Sequence, residues 1–121
     1  MKNSVFPARP VMIGSEIYRN SRYGEGHPLS IERVTPVMDL TFLLGWADSQ
    51  VFVDSPCATP EMISRYHDED YVAAVQHAEK YQSVPEYFRD RYNLGTHGNP
   101  IFPEVYTRPA TAAGASILAG K

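Results

Sequence analysis

The side chains that could perform acid–base or metal chemistry are few and widely spaced in this sequence. Its four histidines are His27, His67, His77 and His97. None of them has another histidine four residues further on, the spacing that places two imidazoles on one helix face. The sequence therefore lacks the H-x-x-x-H pattern by which one helix presents two histidines to a metal. His27 precedes Pro28 in a glycine-rich stretch and is expected to hydrogen-bond its own loop.

The single cysteine, Cys57, excludes an internal disulfide. We expect it to be a small buried apolar side chain, because only His67 lies near enough in sequence to activate the thiol. One free thiol suits the reducing cytoplasm. Residues 1–4 are not followed by the apolar run of a signal peptide or membrane span. These features predict a cytoplasmic protein that does not enter the membrane.

The charge pattern argues against nucleic-acid binding. The 121 residues carry a formal net charge of -3, and the 11 basic residues are scattered. Arg19, Arg22 and Arg33 lie fairly close together, but three glutamates share their stretch. A mixed-charge, solvated surface is the expectation for this group, not a basic groove.

Short apolar runs alternate with helical patterns, which indicates an α/β fold. The predicted strands cover residues 11–14 and 51–53, and residues 17–29 form a long connection. Further helices are predicted to begin at Pro60, after a cap at Asp68 or Asp70, and over residues 85–92 and 110–118. Gly114 in the last of these is expected to permit close packing.

The helix that follows the long connection contains Pro36. The apolar residues recur at spacings of three and four and so predict one apolar stripe, formed by Ile31, Val34, Val37, Met38, Thr41 and Leu44. Thr35 as N-cap with Pro36 as the first helical residue avoids the cost of an internal proline. A kinked continuous helix is the alternative. Trp46 is expected to close the end of this helix onto the core.

This inventory of elements is unbalanced. The sequence predicts few short parallel strands and several helices. A parallel sheet is stable only when it has several strands and when helices cover both of its faces. Residues 1–121 therefore read as a single incomplete domain. Open strand edges and unpaired apolar helix faces predict self-association, so we expect a homo-oligomer that shares the 110–118 helix.

Four blocks of sequence resemble histone deacetylases and their bacterial relatives, in the family's order. They are Tyr23-Gly24-Glu25-Gly26-His27-Pro28-Leu29 with Ile31-Glu32-Arg33-Val34, Ala58-Thr59-Pro60-Glu61-Met62 with Tyr66-His67-Asp68-Glu69-Asp70-Tyr71-Val72, Arg91-Tyr92-Asn93-Leu94-Gly95 with Asn99-Pro100-Ile101-Phe102, and Ala112-Ala113-Gly114-Ala115-Ser116. The chain looks most similar to bacterial acetoin-utilisation and deacetylase-like proteins. Acetylpolyamine amidohydrolases are a more distant match.

The resemblance implies the amino-terminal part of a three-layer α/β/α domain of the arginase/deacetylase type. It also implies zinc-dependent removal of acetyl groups from acetylated amines such as acetyl-lysine. The family's metal ligands, its catalytic histidine pair and its oxyanion-stabilising tyrosine lie outside the matching blocks. We therefore predict no catalytic residue and no metal ligand in this chain, and zinc only in the full-length parent.

The resemblance assigns a substrate-channel role to several residues. Arg33 matches an arginine that lines the family's internal channel, where acetate leaves, although a surface salt bridge is the alternative. Gly26 belongs to the same block, and Tyr23 and Leu29 either line that cavity or belong to the core. His97 and Gly98 stand where many class I enzymes carry a rim aspartate. Without that carboxylate, a small acetylated amine such as an acetylpolyamine is an alternative substrate.

Two classes of function remain open from the sequence. The first is a segment of a zinc amidohydrolase, inactive by itself, whose partner is the remainder of the deacetylase domain. The second is a non-catalytic structural or association module that binds copies of itself.

Overall fold

The computed structural model describes residues 9–24, 26–30 and 32–121. Strands β1 (Met12–Gly14) and β2 (Phe52–Asp54) pair in parallel, with Ile13 opposite Val53. The helices of these residues are α1 (Ile17–Asn20), α2 (Val34–Leu43), α3 (Pro60–Ile63), α4 (Glu69–Tyr81), α5 (Glu86–Tyr92) and α6 (Thr107–Ala119), with a 3-10 turn at Pro28–Ser30. Both predicted strands are present, and the predicted long connection contains α1.

Two helix starts follow the predicted capping chemistry. The Thr59 hydroxyl accepts a hydrogen bond from the Met62 backbone N–H at 3.2 Å, and Pro60 is the first residue of α3. Of the two candidate caps for α4, Asp68 is the one used, since its carboxylate accepts from the Asp70 N–H at 2.8 Å. A side-chain acceptor here satisfies a backbone donor that has no partner inside the helix.

The predicted start of α2, with Thr35 as N-cap and Pro36 as the first helical residue, is wrong. The helix begins at Val34 with Arg33 as N-cap, so Pro36 lies inside the first turn. A proline fits there because N–H groups of the first turn have no intrahelical acceptor. Most of the predicted apolar stripe lacks a cover: Val37 is 61% exposed, and only Thr35 and Met38 are buried on this helix. Ile31, the first residue of that stripe, lies outside the described residues.

The core lies between α4 and the segment that leads from α5 to α6. Small side chains on one face of α4, Ala74 and Ala78, are fully buried. Leu94, Phe102 and Val105 pack onto that face. The buried residues of α4 recur at spacings of three and four, and the burial of their apolar side chains stabilises this part of the fold.

Two smaller expectations are wrong. Cys57 is exposed instead of buried. Trp46 is 76% exposed and does not close α2 onto the core. Among the described residues, no helix is long and apolar enough to cross a membrane.

Helix α6 lies against the chain between β2 and α3. The Ala58 backbone N–H donates to the Ala110 carbonyl at 2.9 Å. A Cβ added at Gly114 would lie 1.8 Å from the Pro56 carbonyl oxygen and 3.0 Å from the Ala58 nitrogen. Only glycine permits this approach, which confirms the predicted close packing at Gly114.

Gly114→Ala is expected to destabilise the chain, because the new methyl group meets backbone atoms that cannot turn away. Overpacking of this kind costs roughly 1–3 kcal/mol. Urea denaturation measures it, and Gly120→Ala at the C-cap of α6 is the control, since a Cβ added there would lie no closer than 3.6 Å to another atom. If the two variants shifted the midpoint equally, α6 would not pack on Pro56 as described.

Candidate functional site: an arginine-lined cavity

A small cavity of about 170 Å³ lies between the glycine-rich loop, α1, α2 and the start of α6. Four arginines, one glutamate and mainly apolar or aromatic side chains line it: Tyr18, Arg19, Ser21, Arg22, Tyr23, Leu29, Glu32, Arg33, Val34 and Arg108. Basic side chains therefore outnumber acidic ones at its wall.

The backbone of the glycine-rich loop explains its composition. Gly24 and Gly26 have φ angles of 104° and 76°, although nothing lies within 4 Å of where their Cβ atoms would be. The glycines are thus required for the left-handed backbone and not for space. His27 holds the turn, since its Nδ1 accepts from the Leu29 N–H at 3.1 Å. This is the structural role expected from the sequence.

Two of the four arginines are neutralised at the cavity's edge. Arg19 donates to Asp39 at 2.7 Å and to Glu16 at 2.7 Å, and Arg22 donates to Glu32. The Arg19 hydrogen bond holds the pKa of the Asp39 carboxyl below its usual range and raises the pKa of Arg19. The mixed-charge surface expected here is therefore present, as exposed ion pairs that contribute little to stability.

Arg33 lines the cavity from the N-cap position of α2. Its side chain is exposed and forms no ion pair with a carboxylate of the described residues. The alternative role weighed for Arg33, a surface salt bridge, is thus not seen in the described part of the chain.

Arg108 enters the same cavity from α6, stacked on two tyrosines. Its guanidinium carbon lies 4.5 Å from the centroid of the Tyr23 ring and 5.5 Å from that of Tyr18, within the range of cation–π attraction. Tyr23 also packs on Phe102, with ring centroids 4.8 Å apart, so the platform is continuous with the core. Burial raises the pKa of the Tyr18 hydroxyl, and the charge of Arg108 partly offsets that rise.

Two nitrogens of Arg108, Nε and Nη1, are buried and have no acceptor among the described residues. Leaving a buried donor unpaired costs roughly 1–3 kcal/mol, and more for a charged group. Such an atom in a folded protein calls for an explanation, such as a bound water or ion.

Glu79 on α4 fixes the position from which Arg108 projects. Its carboxylate accepts from the backbone N–H groups of Tyr106 at 2.8 Å and Thr107 at 2.7 Å, and from the Thr107 hydroxyl at 2.5 Å. An acidic group at a helix N-terminus is favourable because it satisfies free donors and opposes the helix dipole. Arg108 is the next residue of α6.

Of the predicted channel residues, the structure brings Tyr23, Leu29 and Arg33 together around one cavity, and Gly26 lies in the loop beside it. His97 and Gly98 lie elsewhere, in a turn closed by a bridge between Thr96 and Asn99. Both are exposed, and they line neither this cavity nor the larger one described next.

Sequence reasoning missed Tyr18 and Arg108. Arg108 lies 75 positions after Arg33 in the chain, and nothing in the local pattern singles it out. The one cue in the sequence is Pro109, because prolines are common in the first turn of a helix. It indicates that Arg108 lies near the N-terminus of α6.

A larger open groove of about 780 Å³ adjoins the small cavity, and Tyr18, Tyr23, Val34 and Arg108 border both. Apolar and aromatic side chains from α3, α4, α6 and the residues that precede α4 and α6 dominate its wall, among them Met62, Tyr66, Val72, Tyr106 and Ile117. Burial raises the pKa of the Tyr106 hydroxyl.

The described residues do not fit a zinc site. They contain no group of three or more His, Cys, Asp or Glu side chains placed to hold a metal ion. His67 is exposed, and His77 packs on the rings of Tyr81 and Phe88.

Comparison with known proteins places this geometry in context. The sequence is 28% identical, over 98% of the chain, to the acetoin utilization protein AcuC of Bacillus subtilis (strain 168), and it spans 29% of that protein. The fold is similar to a histone deacetylase homologue crystallised in complex with SAHA, with a TM-score of 0.86, 33% identity and 91% of this chain covered. It is also similar to the histone deacetylase homologue from Aquifex aeolicus, with a TM-score of 0.85, 32% identity and 90% coverage. No family model matches the sequence.

The chain spans about 30% of the length of these relatives. The predicted fold class is confirmed, since the parallel strands and surrounding helices superimpose on proteins of the deacetylase fold.

Proposed function

Because the chain belongs to the histone deacetylase family, we propose that it forms the part of a deacetylase that surrounds the inner end of the substrate channel. The observation that carries this proposal is the agreement of fold and sequence with a deacetylase homologue over nearly the whole chain. The reaction is hydrolysis of the amide bond of an acetylated amine, which releases acetate.

In this proposal the segment contributes shape and positive charge instead of reacting groups. Arg33 and Tyr23 line the channel end, and their side chains meet in the arginine-lined cavity. A guanidinium keeps its charge at all working pH values and suits the binding of a carboxylate product. We assign no zinc ligand, general acid or general base to the chain.

A small acetylated amine is the substrate that we favour over an acetylated peptide. The turn that would form the channel rim presents His97 and Gly98 and no carboxylate. Asn99 and Thr96 hold this turn through hydrogen bonds to the Asn93 carbonyl at 3.0 and 3.3 Å. Without a rim carboxylate this turn lacks a charged acceptor for the backbone N–H groups of an extended peptide.

A chimera tests the proposed function. This chain would replace the matching segment of the Aquifex aeolicus homologue, and turnover of an acetyl-lysine reporter and of an acetylated polyamine would be compared with the unmodified homologue. We expect deacetylation, with the balance shifted towards the polyamine. Arg33→Ala should lower turnover about tenfold or more, as loss of one hydrogen bond to a charged group does.

Arg65→Ala is the matched control, since Arg65 is an exposed arginine that lines neither cavity. The chain alone is expected to turn over neither substrate. A folded chimera without activity, or one in which Arg33→Ala and Arg65→Ala behaved alike, would contradict the proposal.

A second candidate function, an association module, is favoured by the apolar surface of α2. Leu43 is 84% exposed and Val37 61% exposed on a helix that carries apolar side chains all round. A helix of that composition is normally buried on more than one side. We propose that the remainder of a deacetylase domain covers α2 and the open groove, and that copies of the chain cover each other when it is alone.

Self-association of the purified chain is therefore expected. Burying apolar surface stabilises by roughly 25 cal/mol per Å², so mutual burial of α2 and groove surfaces favours dimers or larger assemblies. Light scattering over a dilution series should show a mass above that of one chain at micromolar concentration. Leu43→Lys should lower that mass, and Arg65→Lys should leave it unchanged. A compact monomer throughout the series would contradict this expectation.

A further inference from the structure

One face of α2 repeats a packing pattern that no described part of the chain covers. Positions i, i+3, i+4 and i+7 of a helix share one face. On α2 and its C-cap this spacing selects four residues, which we call the α2 stripe: Val37, Leu40, Thr41 and Leu44. The three apolar side chains among them are exposed, whereas the buried residues, Thr35 and Met38, lie on the other side of the helix. The α2 stripe therefore has the form of a helix–helix packing surface.

The open groove lies beside this stripe. Val34, the first residue of α2, is also part of the groove wall. That wall is mainly apolar, and its Met62 and Ile117 side chains are exposed. A convex apolar helix thus adjoins a concave apolar surface on one chain. Two such surfaces side by side are what a self-complementary interface between two copies requires.

The groove also holds polar groups that lack a partner in the described part of the chain. The Tyr106 hydroxyl and the Nε and Nη1 nitrogens of Arg108 are buried and form no hydrogen bond there. Leaving such donors unpaired is unfavourable, most of all on a charged group. An occupant of the groove should therefore bring both apolar surface and hydrogen-bond acceptors.

The C-terminal end of α2 has both of these properties. Trp46, the only tryptophan of the chain, and Leu43 are exposed there. The carbonyl groups of Leu43 and Leu44 accept no backbone N–H among the described residues. Free carbonyls and the helix dipole make this end of a helix negative, which complements the charge of Arg108. A tryptophan ring buries a large apolar surface when it enters a groove.

We propose that two copies of the chain pair through α2 about a two-fold axis, with Trp46 of each copy in the open groove of the other. A two-fold axis beside the helix makes the two α2 helices antiparallel. The α2 stripe is symmetric about its midpoint, between Leu40 and Thr41, so Val37 lies opposite Leu44 of the other copy. In this register the C-terminal end of each helix reaches Val34 of the other copy, at the edge of the groove.

This inference rests on the second candidate function, self-association, and gives it an arrangement. A membrane is the less suitable occupant for the same surface. Residues 34–50 contain two aspartates and no lysine or arginine. Helices that lie on lipid surfaces are instead rich in basic residues, which anionic headgroups attract.

Disulfide crosslinking tests the arrangement. Cys57→Ser removes the single cysteine, and Val37→Cys and Leu44→Cys are then made in separate chains. A disulfide needs Cα atoms within about 7 Å of each other. The two copies of residue 37 are offset along the paired helices by seven residues, roughly 10 Å, so each variant alone should crosslink poorly. With oxidised glutathione, an equimolar mixture should give several-fold more crosslinked dimer than either variant alone, or than Val37→Cys mixed with Arg89→Cys.

The fluorescence of Trp46 gives a second readout that needs no crosslink. Its emission should move to shorter wavelength as the protein concentration rises from nanomolar to micromolar, because the ring leaves water. Ile117→Lys changes the groove and leaves α2 intact, so it should abolish this movement. Arg89→Lys should preserve it, since Arg89 is exposed and lines neither cavity.

The possible failures are distinguishable. Crosslinking of Val37→Cys with itself as strong as in the mixture would overturn the antiparallel register. A dimer in light scattering with unchanged Trp46 emission would overturn the groove contact while self-association still held. A monomer throughout the dilution series would overturn both. Trp46 emission that shifts with phosphatidylcholine vesicles, but not with protein concentration, would assign α2 to a membrane and overturn the pairing.

Discussion

The carboxylate of Glu79 is the constraint on which the site depends. It lies on α4 and accepts three hydrogen bonds from Tyr106 and Thr107, so it joins the core helix to the first turn of α6. Free backbone donors and a helix dipole at this point both favour a negative charge. The next residue is Arg108, which is thereby directed onto Tyr18 and Tyr23. The close approach of Gly114 to Pro56 holds the middle of the same helix.

Much of the fold could be predicted because its signals are local. Thr59 and Asp68 cap their helices with hydroxyl and carboxylate groups two or three residues away. The β1 and β2 runs are short, apolar and bounded by turn residues, and they pair in parallel as an α/β pattern requires. His27 bonds to its own loop, within two residues. The two caps and the His27 hydrogen bond each join residues within a single turn of chain.

The features that could not be predicted depend on residues far apart in sequence. Glu79 meets Thr107 across 28 positions, and Arg108 meets Tyr23 across 85. Apolar spacing placed Val37 in one stripe of α2, and its apolar ring predicted burial for Trp46, yet both side chains are exposed. Periodicity states which face of an element is apolar, but the neighbour that covers that face must come from elsewhere in the assembly. The resemblance to deacetylases identified Arg33, Tyr23 and Leu29 as a group. The position of Arg108 in the same cavity follows only from the folded structure.

The most direct measurement is the contact between Arg108 and Tyr23 with and without the Glu79 carboxylate. In the unmodified chain, a nuclear Overhauser effect should join the Arg108 Nε–H to the Tyr23 ring protons. Glu86→Ala, which removes an exposed carboxylate from α5, should leave that signal in place. Glu79→Ala should abolish it while the α4 amide signals keep their positions. An unchanged signal in Glu79→Ala would contradict this account, because the packing of α6 at Gly114 would then suffice to position Arg108.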